Sequence, residues 1–171
     1  MKTEYCKLTD SNRETANHTK WGEGVTHTAT GAGNRLCTDG VIHVYSHPLL
    51  AALFNTIHAN IQHPVLWEVQ VEGVVADDGT KVGVKTCTTV RRIPLPVISP
   101  TQRVRIAIHC ALEVYHEARF VKWAHGWLSG TDMSGDAARA AADASTYAAA
   151  NKDRKIDIIA IIERVLEETN K

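Results

Sequence analysis

The chain has no surplus of either charge: nineteen Lys and Arg residues balance nineteen Asp and Glu across 171 positions. A nucleic-acid backbone or an anionic membrane, which need broad electrostatic attraction, is therefore not the first partner to expect. No apolar run approaches the ~20 residues of a spanning helix, so no membrane partner is expected. Cysteine is scarce and scattered, at 6, 37, 87 and 110, with no close pair of the kind that builds a metal knuckle. The start, Met1-Lys2-Thr3-Glu4, is polar and lacks the apolar core of a leader. Reduced thiols and a cytoplasmic location follow as expectations.

Catalytic signatures are missing too. There is no G-x-S-x-G elbow and no P-loop. His116-Glu117 begins like a zincin helix, but Phe120 stands where the second histidine belongs. Gly31-Ala32-Gly33 has no third glycine at the offset of a dinucleotide fingerprint, so tight turns are the plainer use for these glycines. Cys37, His43 and His47 have the spacing of half a Cys/His zinc site without the other half. No metal and no cofactor are expected, and the balance leans away from an enzyme.

What is present reads as an α+β protein. Length favours one domain over 1–171, with a sheet half over 1–96 and a helical half over 97–171. Residues 3–8 alternate weakly, with Cys6 and Leu8 on one side and Tyr5 and Lys7 on the other, as in a short strand. Residues 9–20 are polar and read as loop. Val25–Thr30 and Val41–Tyr45 are β-branched and bounded by glycine. Ser46 ahead of Pro48 marks a helix start, and Leu50, Leu53, Phe54, Ile57 and Ile61 place a helix over about 47–62. No Asp, Glu, Lys or Arg falls between Gly40 and Trp67, which predicts a helix covered on more than one side.

The clearest pattern is a hairpin over 65–93. Val65, Trp67, Val69 and Val71 alternate with polar residues, Asp77-Asp78-Gly79 turns the chain, and Val82, Val84, Thr86, Thr88 and Val90 follow. Glu68 and Glu72 are expected across from Lys81 and Lys85. Ser99-Pro100-Thr101-Gln102 carries a capping box, so a helix over about 100–116 follows. Further helices are expected over 120–128, stopped by Gly130, and over 134–168, where alanine dominates.

Two constellations carry possible chemistry. Arg91 and Arg92 end the hairpin, and Arg103 and Arg105 open the helix after it. Guanidinium groups near a helix N-terminus suit a phosphate or carboxylate. Trp21 and His43 complete this ligand-binding set, through stacking and hydrogen bonding; the plain alternative is a buried tryptophan and solvated arginines. The second constellation is His43, Tyr45 and Glu68, an echo of the His–Tyr–Glu sets that hold NAD in ADP-ribosyl-transferring folds.

The segments from Trp21-Gly22 through Leu36-Cys37, His43 to Ala51, Leu66-Trp67-Glu68, Ile93-Pro94-Leu95-Pro96, and Trp123-Ala124 with the alanine-rich tail resemble a family of small uncharacterised phage and prophage proteins. The resemblance spans most of the chain and implies no activity; it implies the cytoplasm of the host cell. At the level of architecture, a small sheet with one packed helix followed by helices is similar to the phage proteins that block Thoeris immunity by sequestering its cyclic ADP-ribose signal. That similarity implies an accessory, anti-defence protein acting by binding. Its partner would be a small nucleotide or a host defence protein, and it would be a homo-oligomer joined through the C-terminal helices. An ADP-ribosyl-transferring or nucleotide-cleaving enzyme is the alternative, and a purely structural partner protein the third.

Overall fold

The computed structural model describes residues 5–131 and 156–169. The chain divides into two compact units, Met1–Val97 and Ile98–Lys171. The fold class is α+β: an antiparallel sheet in the first unit and helices in both.

In the first unit the strands are β1 (Tyr5–Thr9), β2 (Glu14–Thr15), β3 (Thr19–Lys20), β4 (Thr26–Thr28), β5 (Ile42–Val44), β6 (Val65–Asp77) and β7 (Val82–Ile93). β2 and β3 form a two-residue-wide hairpin inside the stretch expected as loop. The main sheet runs β1-β6-β7-β4, and β5 pairs with β7 beyond the end of β4. All its pairings are antiparallel.

The β6–β7 hairpin is the spine, and it is bent. Its register slips between Glu68 and Val69 and again between Val74 and Ala76. Gly73, between these slips, has φ +64, where a side chain is strained. The bend carries β1 and β5, attached at opposite ends of the hairpin, toward each other. They meet in one bridge: Cys6 N–H donates to the Tyr45 carbonyl and Tyr45 N–H to the Cys6 carbonyl, both at 2.8 Å. The sheet thereby closes into a small barrel, which removes most of its open edge.

The register explains a displaced pair of expectations. Antiparallel partners around the 78–81 turn put Glu68 opposite Arg91 and Glu72 opposite Thr86. Glu68 therefore pairs with Arg91, at 2.6 Å, while Lys81 and Lys85 are free to serve other elements.

The barrel interior is Trp21, Val44, Trp67, Val69, Val82, Val84 and Cys87, with Tyr5, Ile42, Val65 and Val71 against them. The polar atoms of Trp67 and Thr89 are paired inside. The Trp67 indole N–H donates to Thr9 Oγ1 at 3.0 Å, and Thr89 Oγ1 donates to the carbonyls of Gly22 and Val25. Cys6, Leu8 and Leu66 are buried as well, and α1 (Pro48–His58) packs against β1. β1 thus has no solvent face.

α1 is shorter than the 47–62 expected. His47, not Ser46, caps it: its ring Nδ1 accepts from Leu49 N–H at 3.2 Å. The helix stops at His58 because Asn55 turns its side chain onto the next loop, accepting from Ile61 N–H and donating to the Ile61 carbonyl. Its buried residues are Leu49, Leu50, Ala51, Ala52 and Asn55, and Ile57 is 72% exposed. Four consecutive buried residues point to all sides of a helix, so the first turn of the uncharged helix is covered on more than one side, as expected, and exposure begins at Thr56 and Ile57.

In the second unit α2 (Pro100–Leu112) begins at the Ser99/Gln102 capping box, with both reciprocal hydrogen bonds present. α3 (Ala118–Ser129) is capped by Glu117 and ends at Gly130. α4 (Ile158–Thr169) buries Ile161, Ile162 and Val165; the rest of the helix expected over 134–168, up to residue 155, lies outside the described residues. Ile108, Ala111, Phe120, Trp123 and Ala124 form the core between α2 and α3.

The loop before β5 is held by a close approach. Lys85 Nζ donates to the carbonyls of Gly33 and Gly40, each at 2.7 Å. A Cβ on Gly40 would collide with the backbone of Gly33. Gly40→Ala is expected to lower stability by about 2–3 kcal/mol, read as a drop in the urea midpoint; Gly79→Ala, whose Cβ meets nothing but whose φ is +81, is expected to cost about 1–2 kcal/mol, from backbone strain alone.

Candidate functional site

A cavity of ≈ 1220 Å³ opens in the first unit, lined from β1, the β2–β3 hairpin, β4, β5, the loop after α1 and the turn before β7. Lys7 is its unusual member. Register places Lys7 beside Trp67, within the barrel, and only 7% of it is exposed. Its Nζ donates to the His43 carbonyl at 3.0 Å and lies 4.6 Å from the centre of the Trp21 ring. A desolvated cation over an indole face is worth up to about 2 kcal/mol. Trp21 is itself held by its N–H donating to Thr15 Oγ1 at 2.9 Å and by an edge contact with His27.

Burial pushes the Lys7 amine down to about 8, against a smaller opposing pull from Cys87. One carbonyl and one ring do not replace the water an ammonium loses.

A second group gathers at the cavity wall. Cys37 is exposed and has φ +62. Lys81 Nζ donates to Cys37 Sγ at 3.1 Å, and the Cys37 N–H donates to His43 Nε2 at 3.0 Å. That bond leaves the proton of a neutral His43 ring on Nδ1. Burial holds His43 below the ordinary histidine range, helped by the charges of Lys81 and Lys7. His58 is held down in the same way, by burial and then by Lys81. Its ring stacks between Phe54 and Tyr45, with Nδ1 3.4 Å from the Tyr45 hydroxyl. Lysine charges that depress two histidines raise the positive potential of the wall, which suits an anion. Three acids line the cavity, Asp10, Glu14 and Asp39: Glu14 is paired with Lys20 and His18, and Asp10 accepts from the Glu14 N–H at 2.7 Å; the Asp78 charge opposes the lysines at both histidines as the smallest influence on each.

Of the residues singled out in the sequence, Trp21, His43 and Tyr45 line this cavity. Trp21 is 5% exposed, so its ring faces Lys7 and not a stacking ligand. Glu68 and the arginines do not line it. Glu68 and Arg91 pair with each other, and Arg92 lies 5.2 Å from the Trp67 ring centre. Arg103 and Arg105 belong to the second unit. There Arg105 donates to the Leu128 carbonyl at 2.9 Å and to Glu168 at 3.3 Å, tying α2 to α3 and α4. Of the three half-zinc residues, His47 serves as the cap of α1. Among the described residues no group of three or more His, Cys, Asp or Glu is placed to hold a metal ion, and no helix is long and apolar enough to cross a membrane.

Sequence reasoning missed Lys7, Lys81 and His58. The alternation of β1 carries no signal for Lys7, which shares its side of the strand with Thr3 and Tyr5.

Two measurements follow. The native Lys7 amine, near 8, binds its proton less tightly than the unfolded one, near 10.5. From about pH 8 upward the unfolded state therefore holds more protons, and stability rises with pH by up to about 3 kcal/mol in all. Compared with Lys7→Met, the wild type is expected to gain stability between pH 8 and 9 in urea melts. The difference between the two chains isolates Lys7 from the buried thiols of Cys6 and Cys87, which burial pushes up to about 12 and about 11 and whose effect has the opposite sign. Second, an aromatic disulfide reagent is expected to label Cys37 ahead of Cys6, Cys87 and Cys110, as peptide mapping will read. No protein-family model, no curated protein and no solved structure matches this chain.

Proposed function

We propose that the barrel unit binds a small phosphorylated ligand of nucleotide type and acts by occupancy, not turnover. The observation that carries this reading is the gathering of Lys7, Lys81, His43 and His58 beside Tyr45 around one cavity of ≈ 1220 Å³. Pockets for small molecules commonly measure ~300–1,000 Å³, so the space admits a ligand of dinucleotide size. Lys81, with the two ring edges, is the phosphate group's contact at the wall. The phage-family resemblance directs the choice of ligand toward a nucleotide immune signal. It also sets the protein in the host cytoplasm as an accessory, anti-defence factor and homo-oligomer. The enzyme alternative has two of its three residues, His43 and Tyr45, at the cavity, while Glu68 is occupied by Arg91.

Calorimetry with AMP, ADP-ribose and inorganic phosphate tests the reading. At least one nucleotide is expected to bind, without being consumed. Lys81→Met is expected to weaken binding by about tenfold or more, the loss of one charge-assisted contact, and Arg91→Ala to leave it unchanged. Absence of heat with all three ligands, or equal affinity in Lys81→Met, would overturn it.

A further inference from the structure

Lys7 has a role beyond charge. Among the described residues its Nζ has one hydrogen-bond acceptor, the His43 carbonyl, and one ring face, that of Trp21. An ammonium offers three N–H donors, so this surrounding leaves two of them without a protein acceptor inside the barrel. Among the other described lysines of the unit, Lys85 finds two carbonyls, while Lys20, paired with Glu14, and Lys81, which reaches Cys37, are not buried as Lys7 is. A cation with a single N–H would match one carbonyl and one ring face without remainder. A protonated imine is that cation.

We propose that Lys7 is a covalent-capture residue: its ε-amino group condenses with the carbonyl of an aldehyde-bearing phosphorylated ligand held in the cavity. This deepens the binding reading above and rests on it for the phosphate. The neutral amine attacks the carbonyl carbon, a C–N bond forms, and the oxygen takes a proton to give a carbinolamine. Loss of water then forms C=N, so both amine hydrogens leave with the former carbonyl oxygen. No oxidant or reductant is involved. Protonation of the imine nitrogen restores the positive charge over Trp21 and the N–H to the His43 carbonyl.

Lys7 is suited to the first step. An exposed lysine amine is almost wholly protonated at neutral pH, whereas one near 8 is roughly a quarter neutral at pH 7.5. The titratable groups that influence Lys7 are Cys87 on β7 and His43 on β5. Cys87 stays a thiol and His43 a neutral ring across that range, since burial pushes the first up and the second down. Neither supplies a counter-ion that would hold the ammonium.

The probe is pyridoxal 5′-phosphate, an aromatic aldehyde phosphate, with pyridoxal as its unphosphorylated control. The whole protein is incubated with a stoichiometric amount of either, reduced with borohydride and mapped by peptide mass spectrometry. The adduct is expected on Lys7, enriched about tenfold or more over Lys20 and Lys122, with the phosphorylated probe ahead of the control. The rate of Lys7 modification is expected to rise with a midpoint near pH 8. Adducts spread over exposed lysines with none on Lys7, or a Lys7 midpoint in the ordinary lysine range, would overturn the proposal. Equal capture of both probes at Lys7 upholds the imine and removes the phosphate reading. Nucleotide binding with no Lys7 adduct does the reverse. The pH midpoint is measured on wild-type protein, so the test does not depend on a folded Lys7 variant.

Discussion

The first unit is organised around one amine taken out of water. Lys7 sits on a strand with no solvent face, between the His43 carbonyl and the Trp21 ring. Desolvating it costs on the order of 3 kcal/mol at neutral pH, a sizeable part of the ~5–15 kcal/mol by which a domain is stable. The hydrophobic interior around Trp67, Val69 and Val84 has to offset this, at about 1.5–3 kcal/mol for each fully buried large apolar side chain. The arrangement also ties distant parts of the chain together. β1 supplies the amine, β5 the carbonyl, and the segment before β4 the ring, so the cavity exists only when all three have docked.

How far the sequence discloses this differs from element to element. The β6–β7 hairpin was legible because its alternation runs long and Asp77-Asp78-Gly79 is an unambiguous turn. The start of α2 was legible because a capping box is a local device, complete within four residues. The extent of α1 was not, since its end depends on Asn55 reaching Ile61 and not on Pro64. Closure of the barrel was invisible, because the bridge between Cys6 and Tyr45 uses main-chain groups that every residue carries.

The same distinction governs the site. His43, Tyr45 and Trp21 attract notice as residue types, and all three line the cavity. Lys7 does not, because alternation separates inside from outside only for a sheet with one wet face. β1 has barrel interior on one side and α1 on the other, so Lys7 is buried like Cys6 and Leu8, and Tyr5 is half-buried. The four arginines fall on both sides of the division between Val97 and Ile98, Arg91 and Arg92 in the first unit and Arg103 and Arg105 in the second. Arg91 and Arg105 have carboxylate partners of their own there.

The seam at Cys6 and Tyr45 carries a consequence for motion. A barrel closed by a single bridge opens there more easily than along a hairpin with a dozen residues on each strand. Parting the seam moves β1 from β5, and therefore the Lys7 amine from the His43 carbonyl. Breathing of the barrel and disassembly of the cavity are one event. Hydrogen exchange at two backbone amides, those of residues 6 and 45, therefore reads the integrity of the whole cavity.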